Sequence, residues 1–166
     1  MEIAEGDITK LDVGAIVNAA NEQLLPGGGV CGAIHRAAGP ELADACAKAG
    51  RCPTGEARIT PGFRLKAEHV IHAVGPIWSG GTADEEALLA GAYRHSLELA
   101  REHRIKSIAF PAISTGIYGF PLDRATAIAV ATVADFLRNN DQPDRVIFAC
   151  FSAYASAVYR AEMAKL

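Results

Sequence analysis

The sequence predicts an α/β layer sandwich with a largely parallel central sheet. Short, mostly apolar runs alternate along the chain with longer segments in which apolar residues recur at helical spacing. Strands of a parallel sheet are buried on both faces and so form continuous apolar runs, whereas the helices that cover them carry a single apolar stripe. Two unusual loops also follow predicted strands, at the sheet edge where α/β proteins bind their ligands.

The individual elements are predicted from the short apolar runs and from the helical spacing of apolar residues. Strands are predicted at residues 15–17, 69–74, 108–110 and 146–150. One helical stripe consists of Leu88, Leu89, Ala92, Ser96, Leu97 and Leu99, and another of Ala125, Ile128, Ala129, Thr132, Val133 and Phe136. Further helices are predicted at residues 30–38, 41–49 and 153–165. No repeat or linker interrupts the 166 residues, so residues 1–166 are expected to form a single domain.

Composition excludes several classes of partner and site. The formal net charge is −3 and no Lys/Arg cluster occurs, which argues against binding long nucleic acid, because its backbone requires a basic stripe. No apolar run approaches the ~18 residues of a membrane helix, and the first residues lack a signal-peptide pattern, so a cytoplasmic protein without membrane contact is expected. The four cysteines, Cys31, Cys46, Cys52 and Cys150, lack paired spacing and predict reduced thiols without a zinc site.

The first unusual loop contains three consecutive glycines, Gly27 to Gly29, after the strand that ends near Ala19. Glycines leave the amide hydrogens of Gly28, Gly29 and Val30 unobstructed and permit positive φ, which we expect at Gly28, so this loop can curl around an anion. The same residues contain the dinucleotide pattern Gly-x-Gly-x-x-Gly. That pattern should join a strand directly to a helix, however, and here seven residues intervene.

The second loop follows the strand that ends near Phe110 and offers Ser114, Thr115 and Gly116 as a further set of amides and hydroxyls. Two such loops suit a diphosphate. Neither contains Lys or Arg, and no Walker pattern occurs, so we expect the diphosphate to be a binding handle and not a reacting group. The sequence around Ser114 lacks the first glycine of a nucleophile elbow, which argues against a serine hydrolase. His69 and His72 point to opposite faces of a strand and predict no metal site, and the role of His35 stays open.

Several ordered motifs together resemble the macrodomains, in particular the MacroD-type ADP-ribosyl hydrolases. They are Gly6-Asp7-Ile8-Thr9, Asn18-Ala19-Ala20-Asn21, Gly27 to Gly39, Cys52-Pro53-Thr54-Gly55-Glu56-Ala57, Val70 to Pro76 and Pro111 to Pro121. The resemblance implies a three-layer α/β/α sandwich with a mixed, largely parallel sheet. It also implies ADP-ribose as the ligand, with no metal or other cofactor.

The resemblance assigns subsites to individual residues. It implies that Asp7 accepts from the adenine amino group, that the Ile8 amide contacts an adjacent ring nitrogen, and that Phe151 stacks on adenine. The diphosphate is assigned to the two loops, including Ile117, and the distal ribose to Asn21 and Tyr118. Three alternatives stay open: Asp7 as a helix cap, Phe151 as a core aromatic, and Asn21 as a residue that ties its own loop together.

One position departs from the family pattern. Hydrolytic members usually carry an aspartate after Gly-Gly-Gly-Val, where it is taken to help activate water, whereas this chain has Cys31. The thiol can act as a base, pass a proton to His35 one turn on, or only fill space, and we favour the last. From the resemblance we expect hydrolysis of an ester on the distal ribose, with Asn21 and Cys31 as the candidate catalytic residues. A non-catalytic reader of ADP-ribose or ADP-ribosylated proteins, and a phosphatase on the same pocket, are the alternatives.

Overall fold

A computed structural model describes residues 1–166 and contains the predicted sandwich. Its strands are β1 (Glu2–Glu5), β2 (Ala15–Ala19), β3 (Ala57–Pro61), β4 (His69–Ala73), β5 (Ser107–Phe110) and β6 (Arg145–Cys150). Its α-helices are α1 (Gly29–Ala38), α2 (Glu41–Ala49), α3 (Glu85–Glu102), α4 (Leu122–Asn139) and α5 (Ala153–Met163), and a single 3-10 turn covers Ile8–Lys10. No helix combines the length and the hydropathy needed to span a bilayer.

The six strands form one mixed sheet in the order β1-β6-β5-β2-β4-β3. All neighbouring pairs are parallel except β3 and β4, which are antiparallel. The four interior strands were predicted, and the two strands at the edges of the sheet were not. β1 begins and ends with exposed glutamates and β3 contains Arg58 and Thr60, so neither edge strand has the continuous apolar run of a strand buried on both faces.

Alternate residues of each interior strand enter two separate cores. Ala15 and Val17 pack with α3, α4 and α5 on one face, whereas Ile16 packs with α1 and α2 on the other. The predicted three layers and the mixed, largely parallel sheet are therefore confirmed. Because β2, β4, β5 and β6 are parallel, their carboxyl ends lie at one edge of the sheet, and both unusual loops start there.

Candidate functional site

A cavity with a volume of about 560 Å³ lies at the carboxyl ends of the parallel strands. It brings together eleven of the predicted site residues: Asn21, Gly28, Gly29, Val30, Cys31, Ser114, Thr115, Gly116, Ile117, Tyr118 and Phe151. Asp7 and Ile8 are not among its lining residues. None of the 23 residues that line the cavity carries a charged side chain. An anion bound there would be held by neutral donors and by helix dipoles.

The glycine loop runs directly into the first turn of α1, which starts at Gly29, one residue earlier than predicted. The first N–H groups of a helix have no partner within the helix, so the amides at residues 29–31 are available to an anion. The expectation of positive φ is correct for Gly29, at +56°, and wrong for Gly28, at −88°. Gly28 lies just outside the helix as its N-cap, where extended backbone is the usual conformation.

Two glycines outside the predicted set permit close contacts that shape the cavity. A Cβ on Gly32 would lie 2.5 Å from the carbonyl oxygen of Gly27, so the loop closes on α1 only because residue 32 has no side chain. A Cβ on Gly75 would lie 2.2 Å from Ser114 Oγ. The motifs quoted above include both glycines, but their spacing gives no sign of these contacts.

The second loop is held mainly by its own backbone. Ser114 has φ +67° and is buried, and its carbonyl oxygen accepts from the Phe120 N–H at 2.9 Å. Ser114 Oγ has no partner within the protein. The Thr115 hydroxyl donates to the Ala112 carbonyl at 2.8 Å, so its donation to a phosphate stays a prediction that requires this bond to be exchanged. The Thr115 N–H also donates to the Ala112 carbonyl, at 3.3 Å, so Ser114 Oγ and the amides of residues 116–118 remain as candidate donors.

A segment after β4 supports the second loop from behind. The Trp78 N–H donates to the Tyr118 carbonyl at 2.8 Å, and the Trp78 ring packs on Phe120 with 4.6 Å between ring centroids. The carboxylate of buried Glu85 accepts from the amides of Ser79, Gly81 and Ala83. Burial alone would raise the pKa of Glu85, but these amides outweigh it and lower the pKa to about 2. Glu85 thus fixes this segment as an anion.

Asn21 is tied to its own loop. Its side-chain Nδ2 donates to the Leu25 carbonyl at 2.9 Å, and its Oδ1 accepts from the Leu25 N–H at 3.0 Å. The loop-tying alternative therefore describes the geometry, although Asn21 also lines the cavity. One amide hydrogen and one lone pair of this side chain are not used by Leu25. A ligand role for Asn21 stays a prediction that rests on those two sites.

Cys31 is buried, with 7% of its surface exposed, and still lines the cavity. Its thiol donates to the Leu25 carbonyl at 3.7 Å and accepts from Asn18 Nδ2 at the same distance. His35, one turn further along α1, does not line the cavity, and burial lowers its pKa. The thiol therefore holds the glycine loop against α1, which agrees with the space-filling interpretation.

Asp7 caps the short 3-10 turn. Its Oδ1 accepts from both the N–H and the hydroxyl of Thr9, which lower the pKa of the exposed carboxyl and leave it ionised at neutral pH. The cap alternative is thus correct as geometry. Oδ2 makes no bond in the protein, and the Gly6 N–H donates to the Cys150 carbonyl, so this turn lies beside the end of β6. The adenine contacts of Asp7 and Ile8 stay predictions, and Ile8 itself is buried.

Phe151 is 67% exposed and lines the cavity directly after β6, which β5 separates from the strand that leads into the glycine loop. The alternative of a buried core aromatic is therefore wrong. An exposed aromatic face at the rim of an apolar cavity is suited to stacking on a flat ring.

The second cavity lies at the amino ends of the parallel strands and has a volume of about 350 Å³. Its lining includes Lys66, Arg104 and Lys106, together with the acidic Asp12 and Glu68. It contains none of the predicted site residues. No group of three or more His, Cys, Asp or Glu side chains is placed to hold a metal ion anywhere in the chain.

Comparison with known proteins places this geometry among related folds. The model of the Macro domain family matches residues 17–129. A macro domain-containing protein of Methanosarcina mazei is 59% identical over 152 residues, which cover 92% of this chain and 81% of that protein. The O-acetyl-ADP-ribose deacetylase of Salmonella typhimurium is 52% identical over 163 residues, covering 96% of this chain and 91% of that enzyme.

Two solved structures show the same fold. The Oceanobacillus iheyensis macrodomain with ADP has a TM-score of 0.94 and 46% identity, and the match covers 98% of this chain and 89% of that one. The Trypanosoma brucei macrodomain in complex with ADP-ribose has a TM-score of 0.90 and 42% identity, and the match covers 96% of this chain and 67% of that one.

Proposed function

The chain belongs to the macro domain family, and on that premise we propose that it binds ADP-ribose in the larger cavity and hydrolyses an ester on the distal ribose. The proposed reaction converts O-acetyl-ADP-ribose and water to ADP-ribose and acetate. A single ADP-ribosyl group esterified to an acidic side chain presents the same type of bond, so ADP-ribosylated proteins are further proposed substrates. We place this activity in the cytoplasm.

The observation that carries the proposal is the convergence of two amide-rich loops on one uncharged cavity. The first turn of α1 and the loop around Ser114 each present N–H groups, and a diphosphate offers two anionic groups to them. Phe151, whose apolar face would take adenine, follows β6, the Ser114 loop follows β5, and Asn21 follows β2, and these three strands are consecutive in the sheet. This order matches the order of groups along ADP-ribose.

The neutral lining favours an acyl leaving group over a phosphate. A phosphate on the distal ribose would bring a third anionic group beside Cys31, where no Lys, Arg or His lines the cavity to compensate its charge. Desolvating an uncompensated anion is costly, whereas an acetyl ester is neutral and small. The phosphatase alternative is therefore the less favoured of the two chemistries.

The proposed chemistry uses few protein groups. Water adds to the acyl carbon, the bond from that carbon to the ribose oxygen breaks, and the ribose oxygen leaves with the proton that the water gave to the substrate phosphate. The second proton of the water is released to solvent as acetate forms. Asn21 orients the water through the hydrogen and lone pair that Leu25 does not use, and a phosphate oxygen of the substrate accepts the proton from the water. Cys31 holds the loop and takes no part in proton transfer.

The same lining also supports a second candidate, a reader that binds ADP-ribose without turnover. No carboxylate or imidazole lines the cavity, so no side chain there is an obvious general base. The two candidates share every binding contact and differ only in whether the ester is broken.

Product analysis separates the two candidates. Purified protein is mixed with O-acetyl-ADP-ribose while ADP-ribose and acetate are quantified, and calorimetry measures the affinity for ADP-ribose in parallel. Binding with turnover supports the hydrolase, and binding without turnover supports the reader. Absence of binding would contradict both.

A further inference from the structure

A chain of buried polar side chains runs beneath the cavity and ends at Cys31. Asn18 on β2 and His72 on β4 lie opposite each other in the sheet register, and both are almost completely buried. Asn18 Nδ2 lies 3.0 Å from His72 Nδ1 and 3.7 Å from Cys31 Sγ. On the other side of the ring, His72 Nε2 lies 2.9 Å from Thr60 Oγ1 on β3. The proposed function uses neither Asn18 nor His72.

The Thr60 hydroxyl determines which groups donate and which accept in this chain of hydrogen bonds. Thr60 has a single hydroxyl hydrogen, which donates to the Pro61 carbonyl at 3.2 Å, so we assign the hydrogen of His72 to Nε2, as donor to the Thr60 oxygen. Cys46 Sγ also faces the ring, at 3.6 Å from Nε2 and 3.9 Å from Nδ1. The lone pair of His72 Nδ1 then accepts from Asn18 Nδ2. Burial, assisted by nearby His35, lowers the pKa of His72 to about 3, so the ring is neutral near pH 7.

We propose that His72 is a positioning residue for the side chain at position 31, acting through Asn18. Its bare Nδ1 keeps the amide nitrogen of Asn18, and not the oxygen, directed at that side chain. The Cys31 sulfur therefore accepts from the Asn18 N–H, and its S–H donates to the Leu25 carbonyl. Together the two bonds join the glycine loop to the sheet. Its relevance to catalysis, through the loop that Cys31 and Asn21 both bond at Leu25, rests on the proposed function.

Stability alone does not favour this arrangement. Asn18 Oδ1 is buried and has no hydrogen-bond partner in the protein. A buried amide with one unsatisfied end is destabilising relative to an apolar residue of similar size. The Asn18 N–H groups reach both the His72 imidazole and the sulfur of Cys31, which lines the cavity, and a positioning role requires both contacts.

Alkylation of Cys31 tests the positioning without any reliance on turnover. The full-length protein is treated with iodoacetamide at pH 7.5, and modification of Cys31 is followed by peptide mass spectrometry. The thiolate is the reacting form, and an N–H donor stabilises it. His72→Leu, which removes the acceptor for Asn18, is expected to slow the reaction at least about tenfold, as expected for losing a hydrogen bond to a charged group. His72→Gln, which keeps an acceptor oxygen, should stay within about threefold of wild type.

If His72 only stabilises the core, its replacement changes the alkylation rate in the opposite direction. A loosened core would make Cys31 and buried Cys46 react faster in His72→Leu, and the effect would add to that of Asn18→Leu. The positioning role instead requires that His72→Leu has no further effect once Asn18 is leucine. Faster alkylation, or additive effects in the double variant, would overturn the proposal.

Turnover of Cys31→Asp separates this inference from the proposed function. A carboxylate at position 31 would be held by the same Asn18 N–H, so any gain in the rate of O-acetyl-ADP-ribose hydrolysis should disappear when His72→Leu is added. If wild type and Cys31→Asp both fail to turn over, the proposed function is wrong while the alkylation result still decides the positioning. If Cys31→Asp gains rate equally with and without His72, the positioning role is wrong.

Discussion

The glycine loop offers a matched pair of substitutions that separates binding from folding. No atom lies within 4 Å of a Cβ built on Gly28 or on Gly29, so neither position resists a side chain sterically. The two differ in backbone conformation, with φ −88° at Gly28 and +56° at Gly29. Valine is compatible with the first angle and strained by the second.

Gly28→Val is therefore expected to remove ligand binding while leaving the fold intact. Its isopropyl group stands at the cavity wall and keeps a phosphate away from the first amides of α1. Losing one or two charge-assisted hydrogen bonds, at about 1.5–3 kcal/mol each, weakens affinity for ADP-ribose at least about tenfold to a hundredfold. The free energy of unfolding should change by less than about 1 kcal/mol, because the N-cap makes no side-chain bond to lose.

Gly29→Val should instead destabilise the protein. The left-handed conformation costs about 1–2 kcal/mol for a residue with a Cβ, which lowers the Tm by roughly 2–8 °C in a chain of this size. Thermal unfolding and calorimetry with ADP-ribose are measured on both variants. Wild-type affinity in Gly28→Val would refute the amide cradle, and equal losses of Tm in both variants would refute the assigned backbone conformations.

Three further predictions concern the cap, the thiol and the buried carboxylate. Asp7→Asn keeps the bond to Thr9 but replaces the free acceptor, so calorimetry should show about tenfold to a hundredfold weaker binding of ADP-ribose with an unchanged Tm; wild-type affinity would exclude the adenine contact. Cys31→Ala should leave the rate of ester hydrolysis within about threefold of wild type. Cys31→Asp should raise that rate roughly tenfold or more and weaken ADP-ribose binding by charge repulsion. A large loss of rate in both Cys31→Ala and Cys31→Ser, at constant affinity for ADP-ribose, would make the thiol catalytic. Glu85, with its pKa lowered to about 2 from an ordinary 4.5, stabilises the fold above about pH 4.5 and loses that contribution as the pH falls toward 2. The Tm difference between wild type and Glu85→Gln should therefore be constant from pH 7 to pH 5 and shrink below pH 4.5, and a difference that grows on acidification would contradict this ionisation.

The sequence predicts what depends on local pattern. The interior strands are mostly apolar because both faces are covered, and the two cavity loops carry an unbroken glycine run and a Ser-Thr-Gly run, respectively. β1 and β3 escape detection because an edge strand is covered on fewer sides and keeps its charged residues. The φ of Gly28 was assigned wrongly because it depends on the residue at which α1 starts, and helix boundaries are defined by a sequence only to within a residue or two.

Contacts between strands cannot be predicted from sequence patterns. Asn18 and His72 are 54 positions apart and meet only because β2 and β4 are neighbours in register. The choice between a ligand role and a loop role for Asn21 likewise depends on where the Leu25 backbone lies. Motifs indicate which residues belong to a site, whereas the hydrogen-bond partners of those residues are set by the packing of the sheet.

The central claim is that main-chain amides, and not cationic side chains, hold a diphosphate in this protein. A crystal structure of the wild-type protein with ADP-ribose tests it most directly. We predict phosphate oxygens within hydrogen-bonding distance of the amides at residues 29–31 and 116–118, with adenine against Phe151. A diphosphate bound instead in the cavity of Lys66, Arg104 and Lys106 at the opposite edge of the sheet would contradict the account.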